Sequence, residues 1–156
     1  MALLERIKRI KLPKREKKKR LAVFVDGPNM LRKEFSIDLQ DIKKALLPIG
    51  TIKLGRVFLN QFASNKLVEA CVNQGFETIV SVGDVDVAMA VDATEASFSQ
   101  FVDTIVWVTR DSDFLPSVVK AKKLGKETIV VLVDEASAAA LKNTADIVIV
   151  LGKGQG

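Results

Sequence analysis

The chain has 156 residues, 48% of them hydrophobic, with a formal net charge of +5, no His, no Tyr and a single Cys, Cys71. That length supports one domain with a real core, while one Cys and no His exclude an intrachain disulfide and zinc sites built from four Cys or from two Cys and two His. The missing His also removes Ser-His and Cys-His nucleophile pairs, so hydrolytic chemistry has to use carboxylates, a metal or Lys.

The charge is unevenly spread. Residues 1–20 hold ten Lys/Arg against two Glu, a local +8, and the remainder carries a net −3. Leu3, Leu4, Ile7 and Ile10 fall at helical spacing, Pro13 ends that pattern, and Lys14 to Arg20 is almost wholly cationic. This basic N-terminal arm reads either as a solvated tail or as an electrostatic arm for phosphate backbones, with Lys14, Lys18 and Arg20 among its contacts. From Leu21 onward strands alternate with helices. Strands are predicted over 21–25, 52–59, 77–82, 104–109, 127–133 and 147–150, mostly short Val/Ile-rich runs suited to burial on both faces. Helices are predicted over 38–47, 64–74, 85–101, 114–124 and 135–143. Asp38 fits an N-cap with Asp41 at the third helical position, and Gly75 and Gly125 fit helix C-terminal glycines. The fold class is therefore α/β: helices on both sides of a mostly parallel central sheet of five to six strands, as one domain over 21–150 followed by a flexible tail at 151–156. No apolar run reaches the ~18 residues of a membrane span, and the basic start lacks an apolar h-region. The expectation is a cytoplasmic protein without membrane contact. Ala136, Ala138, Ala139 and Ala140 in the last predicted helix would permit close packing in a homodimer, or simply packing on their own sheet.

Four aspartates sit where strands stop. Asp26 follows the first predicted strand, Asp86 the third across a short turn, and Asp111 and Asp113 the fourth. In an open parallel α/β sheet, ligands bind beyond the carboxyl ends of the strands. Carboxylates gathered there repel one another unless a cation lies between them, and a hard ion such as Mg²⁺ or Mn²⁺ prefers such oxygen ligands. In Asp26-Gly27-Pro28-Asn29, Gly27 permits a tight turn and Asn29 can point an amide back at Asp26; an ordinary strand-to-helix junction explains the segment equally well. Asp84 and Asp86 stand two apart at a helix start, so one is expected to cap and the other to face the site. Asp84 and Asp92 are the weaker metal candidates, since Asp92 lies six residues past Asp86 on another helical face. Asp103 and Asp134 read as surface acids. Lys120, Lys122, Lys123 and Lys126 read as a solvated helix face or as phosphate contacts. Phe35, Phe58, Phe62, Phe76, Phe98 and Trp107 fall mostly within apolar elements, so no stacking platform for bases is expected. The chain has neither a G-x-x-x-x-G-K-[ST] loop nor a G-x-G-x-x-G after the first strand, which argues against a P-loop NTPase and a dinucleotide-binding protein.

Val25 to Asn29, Val85-Asp86-Val87 and Thr109 to Phe114 resemble, in order and spacing, three motifs of the NYN domain family of PIN-like ribonucleases, which includes LabA-like proteins. These are a hydrophobic-D-G-x-N segment, a V-D-V segment opening a central helix, and an S-G-D-x-D-F segment. The resemblance covers roughly Leu21 to Val150. It implies a three-layer α/β/α PIN-like Rossmannoid fold and an Mg²⁺- or Mn²⁺-dependent nuclease acting on RNA. Carried over by position, Asp26, Asp86, Asp111 and Asp113 would be the catalytic and metal-binding acids, with Asn29 in support. Thr109-Arg110 stands in place of the usual Ser-Gly, and Arg110 either meets a substrate phosphate or pairs with surface acids. Gly83-Asp84 stands where many members have a Lys before V-D-V, which removes a phosphate contact. Two other readings stand beside the ribonuclease: a non-catalytic RNA-binding or regulatory module, and a small-molecule phosphohydrolase.

Overall fold

A computed structural model describes residues 18–31, 38–134 and 138–152. Lys14 and the rest of segment 1–17, Phe35, Ala136 and residues 153–156 lie outside the described residues.

The Val/Ile-rich runs form six strands: β1 (Lys19–Asp26), β2 (Gly50–Asn60), β3 (Glu77–Ser81), β4 (Thr104–Val108), β5 (Glu127–Leu132) and β6 (Ile147–Val150). All pair in parallel into one sheet, in the order β3-β2-β1-β4-β5-β6. Side chains alternate across it. Leu21, Val23 and Val25 of β1 face one apolar layer with Met30, Ile42, Leu46 and Cys71, whereas Ala22 and Phe24 face the other with Met89, Ala93, Val118 and Leu141. The helices supply these layers: α1 (Gly27–Met30), α2 (Leu39–Leu46) and α3 (Asn65–Asn73) on the first face, α4 (Asp86–Ala96), α5 (Leu115–Lys123) and α6 (Ala139–Thr144) on the second. The result is a three-layer α/β/α fold of the PIN-like kind. Leu21 to Val25 are all fully buried, the reason that β1 is apolar on both faces.

Local chemistry sets the element ends. Asp38 and Asp41 form a capping box at α2: Asp38 Oδ1 accepts from the Asp41 backbone N–H at 3.0 Å, and Asp41 Oδ2 accepts from the Asp38 N–H at 2.9 Å. Gly75 and Gly125 close α3 and α5 with φ near +89° and +81°. The helix predicted over 85–101 instead ends at Ala96. Ser97 Oγ donates to the Ala93 carbonyl and Ser99 Oγ accepts from the Phe101 N–H, so hydroxyls satisfy the backbone where the helix stops. The last helix begins at Ala139, after Ala138 in the left-handed region at φ 53°. Among the described residues, no helix is long and apolar enough to cross a membrane.

The chain order of the strands reverses between β1 and β4, so the connections leaving their carboxyl ends diverge and open a crevice there. The β1 turn depends on Gly27. A Cβ at that position would lie 2.5 Å from Leu59 Cδ2 and 2.6 Å from the Phe58 carbonyl oxygen, inside contact distance of the β2 backbone. Gly27→Ala is expected to cost about 1–3 kcal/mol, as overpacking against a fixed neighbour does, read as a lower urea midpoint; an unchanged midpoint would disprove the close approach.

Candidate metal centre

Asp26 is the last residue of β1 and is fully buried. Its Oδ2 accepts from Asn29 Nδ2 at 2.9 Å and from the Thr109 hydroxyl at 3.1 Å. Its Oδ1 is buried with no hydrogen-bond partner among the described residues. Burial raises the Asp26 pKa, the Asn29 and Thr109 hydrogen bonds oppose that rise, and the nearby Asp111 charge adds to it.

Thr109 joins two strand ends. Its Oγ1 donates to Asp26 and accepts from the Asp111 backbone N–H at 3.0 Å. Asp111 Oδ1 in turn accepts from the Asp113 N–H at 2.8 Å, capping the 3₁₀ turn Ser112–Phe114 that leads into α5. The connection after β4 is thereby fastened to the end of β1. From the other side, α4 starts at Asp86. Asp84 Oδ1 accepts from the Asp86 N–H at 2.9 Å, so Asp84 holds the turn while the Asp86 side chain joins the cluster. One carboxylate oxygen each from Asp86, Asp111 and Asp113 lies within 4.8 Å of the others. Loss of solvation pushes the Asp86 pKa up to about 8, helped by its hydrogen bond with Asp111 and by repulsion from Asp26, Asp111 and Asp84. Three converging carboxylates form an all-oxygen donor set, which fits a hard divalent cation; Asp26 lies outside that trio but near enough for its charge to act on Asp86.

Other residues singled out by sequence fall elsewhere. Arg20 lies near the amino end of β1, roughly 20 Å along the strand from Asp26. It pairs with Asp103 at 2.9 Å and holds that carboxyl down to about 2. Lys18 is exposed at that same end. Arg110 lies 3.9 Å from Asp134. Asp92 sits about 9 Å further along α4 than Asp86 and meets Arg56 at 3.1 Å. Lys126 donates to the Ser99 and Val102 carbonyls, Lys122 donates to the Thr144 carbonyl, and Lys120 lies over the Phe98 ring. Of the aromatic residues expected mostly within apolar elements, Phe58, Phe76 and Trp107 are buried, but Phe62 and Phe98 are 84% and 63% exposed. Both lie in or beside turns past the ends of their elements, where apolar character does not enforce burial. Thr109 is the site residue that sequence reasoning missed. The available signal was that its hydroxyl is retained where the resembling motif carries Ser.

Fold and site together define a PIN-like α/β protein with an acidic centre at the carboxyl ends of β1 and β4. The chain belongs to the NYN domain family, which matches it over residues 20–152. It is also 55% identical over 143 residues to the uncharacterized protein MJ0482 of Methanocaldococcus jannaschii, an alignment covering 92% of this chain and 60% of that relative. The chain thus spans about 60% of the relative's length.

Two measurements test the site. Asp86 takes up its proton at a folded-state pKa of about 8 against an ordinary 3.8. Between those values the folded state binds more protons than the unfolded one, so this group's stabilising contribution is present at low pH and is lost as pH rises through about 8. Metal-free Asp86→Asn is therefore expected to melt above wild type at pH 8 and to lose that advantage at pH 4. In wild type at pH 7, Mn²⁺ binding should release a proton, seen calorimetrically as heats that differ between buffers of unlike ionisation enthalpy; buffer-independent heats would refute the protonated Asp86. Separately, Thr109→Val removes the hydroxyl shared by Asp26 and Asp111 and should weaken Mn²⁺ binding by about 10–100-fold, as loss of a ligand-orienting partner does. Thr109→Ser should bind as wild type, and equal losses in the two variants would disprove the hydroxyl's role.

Proposed function

We propose that this chain is a divalent-metal-dependent ribonuclease that hydrolyses RNA phosphodiester bonds at the Asp26, Asp86, Asp111 and Asp113 site, with Mg²⁺ or Mn²⁺ as cofactor. The observation carrying this reading is the convergence of Asp86, Asp111 and Asp113 within 4.8 Å, with the buried Asp26 near enough to repel Asp86 and Asp111. Membership of the NYN domain family points the same way.

Asp86, Asp111 and Asp113 would hold the ion, and the nearby Asp26 would add negative charge to the site. A bound divalent cation supplies Lewis-acid stabilisation of phosphoryl oxygens and lowers the pKa of bound water. The chain's own part is positional. Asn29 and Thr109 orient the Asp26 carboxylate, Thr109 and the Asp113 N–H set Asp111, and Asp84 steadies the start of α4. Asp86 has to surrender its carboxyl proton for the site to load, so metal affinity should rise with pH up to about 8. No protein nucleophile is required, which suits a chain without His. RNA as substrate is supported by the family, and Lys14 and Lys18 of the basic segment, which precedes the end of β1 opposite the acids, would meet phosphates. Arg20 is already engaged by Asp103, and Arg110 lies near Asp134.

The test is cleavage of an end-labelled single-stranded RNA in Mn²⁺, Mg²⁺ or EDTA, comparing wild type with Asp111→Asn. Cleavage is expected with either metal and not with EDTA, and the variant should lose about 100-fold or more of the rate. Full activity in the variant or in EDTA would overturn the metal assignment. Salt-sensitive RNA binding without cleavage in any metal would point to the non-catalytic module, and hydrolysis of small phosphate esters alone to the phosphohydrolase.

A further inference from the structure

Among the described residues, Phe62 is the most exposed aromatic side chain at the end of the sheet that carries the acids, with 84% of its surface accessible. It is not loosely hung there. Asn60 Oδ1 accepts from the Phe62 backbone N–H at 3.0 Å, and the Ala63 N–H donates to the Asn60 carbonyl, closing a tight turn between β2 and α3. The next side chain back, Gln61, accepts from the Gly83 N–H at 2.8 Å. That bond ties the Phe62 turn to the connection carrying Asp84 and Asp86.

Beside Phe62 lies a cleft of about 120 Å³ with a mainly apolar lining that includes Gly27, Pro28, Leu59 and Leu67, with Asn60 adding an amide. Its Gly27 wall directly follows Asp26. Asp26 pairs with Phe58 across the β1–β2 ladder, so Asn60, two residues on, stands about 8 Å from Asp26 by strand geometry. The cleft opens in the layer of α1 and α3, on the other side of the β1 end from the acids, and its chemistry is opposite: an exposed ring and aliphatic walls against carboxylates.

We propose that Phe62 and this cleft form a nucleobase subsite, in which an unpaired base of single-stranded RNA stacks on the Phe62 ring and seats its sugar edge toward Pro28 and Leu59. The inference rests on the ribonuclease reading and deepens it by naming how the substrate is gripped. Carboxylates do not attract a polyanion, so a binding contribution drawn from a base's π-face is the kind that such a site requires. Asn60 spends its Oδ1 on the turn, which leaves its amide nitrogen as the donor that it can offer a base edge. Stacking tolerates any base, so the expected preference is for single strands over duplexes, where bases are already stacked.

Fluorescence anisotropy with a labelled single-stranded RNA in Ca²⁺, alongside cleavage in Mn²⁺, tests this. Phe62→Ala should weaken binding about tenfold, within the range that one base–aromatic stack supplies, and Phe62→Trp should restore it. Because the ring is exposed, the Ala variant should melt with wild type. Phe98→Ala removes an aromatic that is 63% exposed and packs against Lys120, away from the acids, and should leave binding unchanged. If wild type binds and cleaves RNA but Phe62→Ala does so equally well, or if Phe98→Ala loses as much, the subsite is wrong and the nuclease reading stands. If wild type neither binds nor cleaves RNA, both fall.

Discussion

Burial of Asp26 is the constraint on which the rest of the site depends. A carboxylate removed from water is costly unless its oxygens are satisfied, and here only one is: Oδ2 is held by Asn29 and Thr109, while Oδ1 has no hydrogen-bond partner among the described residues. Asp86 and Asp111 then stand near enough to repel it, which raises the cost. Nothing in hydrophobic packing favours such an arrangement. Repulsion among these acids is offset by positive charge, and the proton held by Asp86 up to about pH 8 is the form of it available to the protein alone.

A scaffold that gathers like charges has to be rigid elsewhere. The central strands β1 and β4 are buried on both faces, so their carboxyl ends cannot drift apart without exposing apolar layers on two sides. Gly27 lets the chain turn against β2 with no room for a methyl group, and Thr109 couples the β4 connection to β1 through one hydroxyl. Any ligand that binds only the folded state returns stability by mass action, so an ion in the acidic cluster would offset the repulsion that the fold maintains.

Much of this was legible beforehand because it is local. Short Val/Ile-rich runs marked all six strands, and Asp38 with Asp41 marked the start of α2, since runs and caps act within a few residues. Apolar periodicity carries past the end of α4, where the Phe98 and Ser99 N–H groups turn to the Glu95 and Ala96 carbonyls and tighten the chain out of the helix. Phe62 stands outside the apolar elements among which its residue type places it, because the Asn60 turn carries it past the end of β2.

The sequence by itself determined the kinds of element, their order, and which acids stand at strand ends, because each follows from neighbouring residues. Only the tertiary structure decided which of those acids converge. Asp86 and Asp92 occupy the same helix, yet one faces Asp111 and Asp113 while the other is held by Arg56. Thr109 and Asp26, 83 residues apart, share a hydrogen bond because β1 and β4 are neighbours in the sheet. Arg20, read from its charge as a phosphate contact, lies at the opposite end of β1, bonded to Asp103. Strand order and side-chain direction at a turn arise from contacts across the sheet, and those distances in sequence leave no periodic trace in the chain.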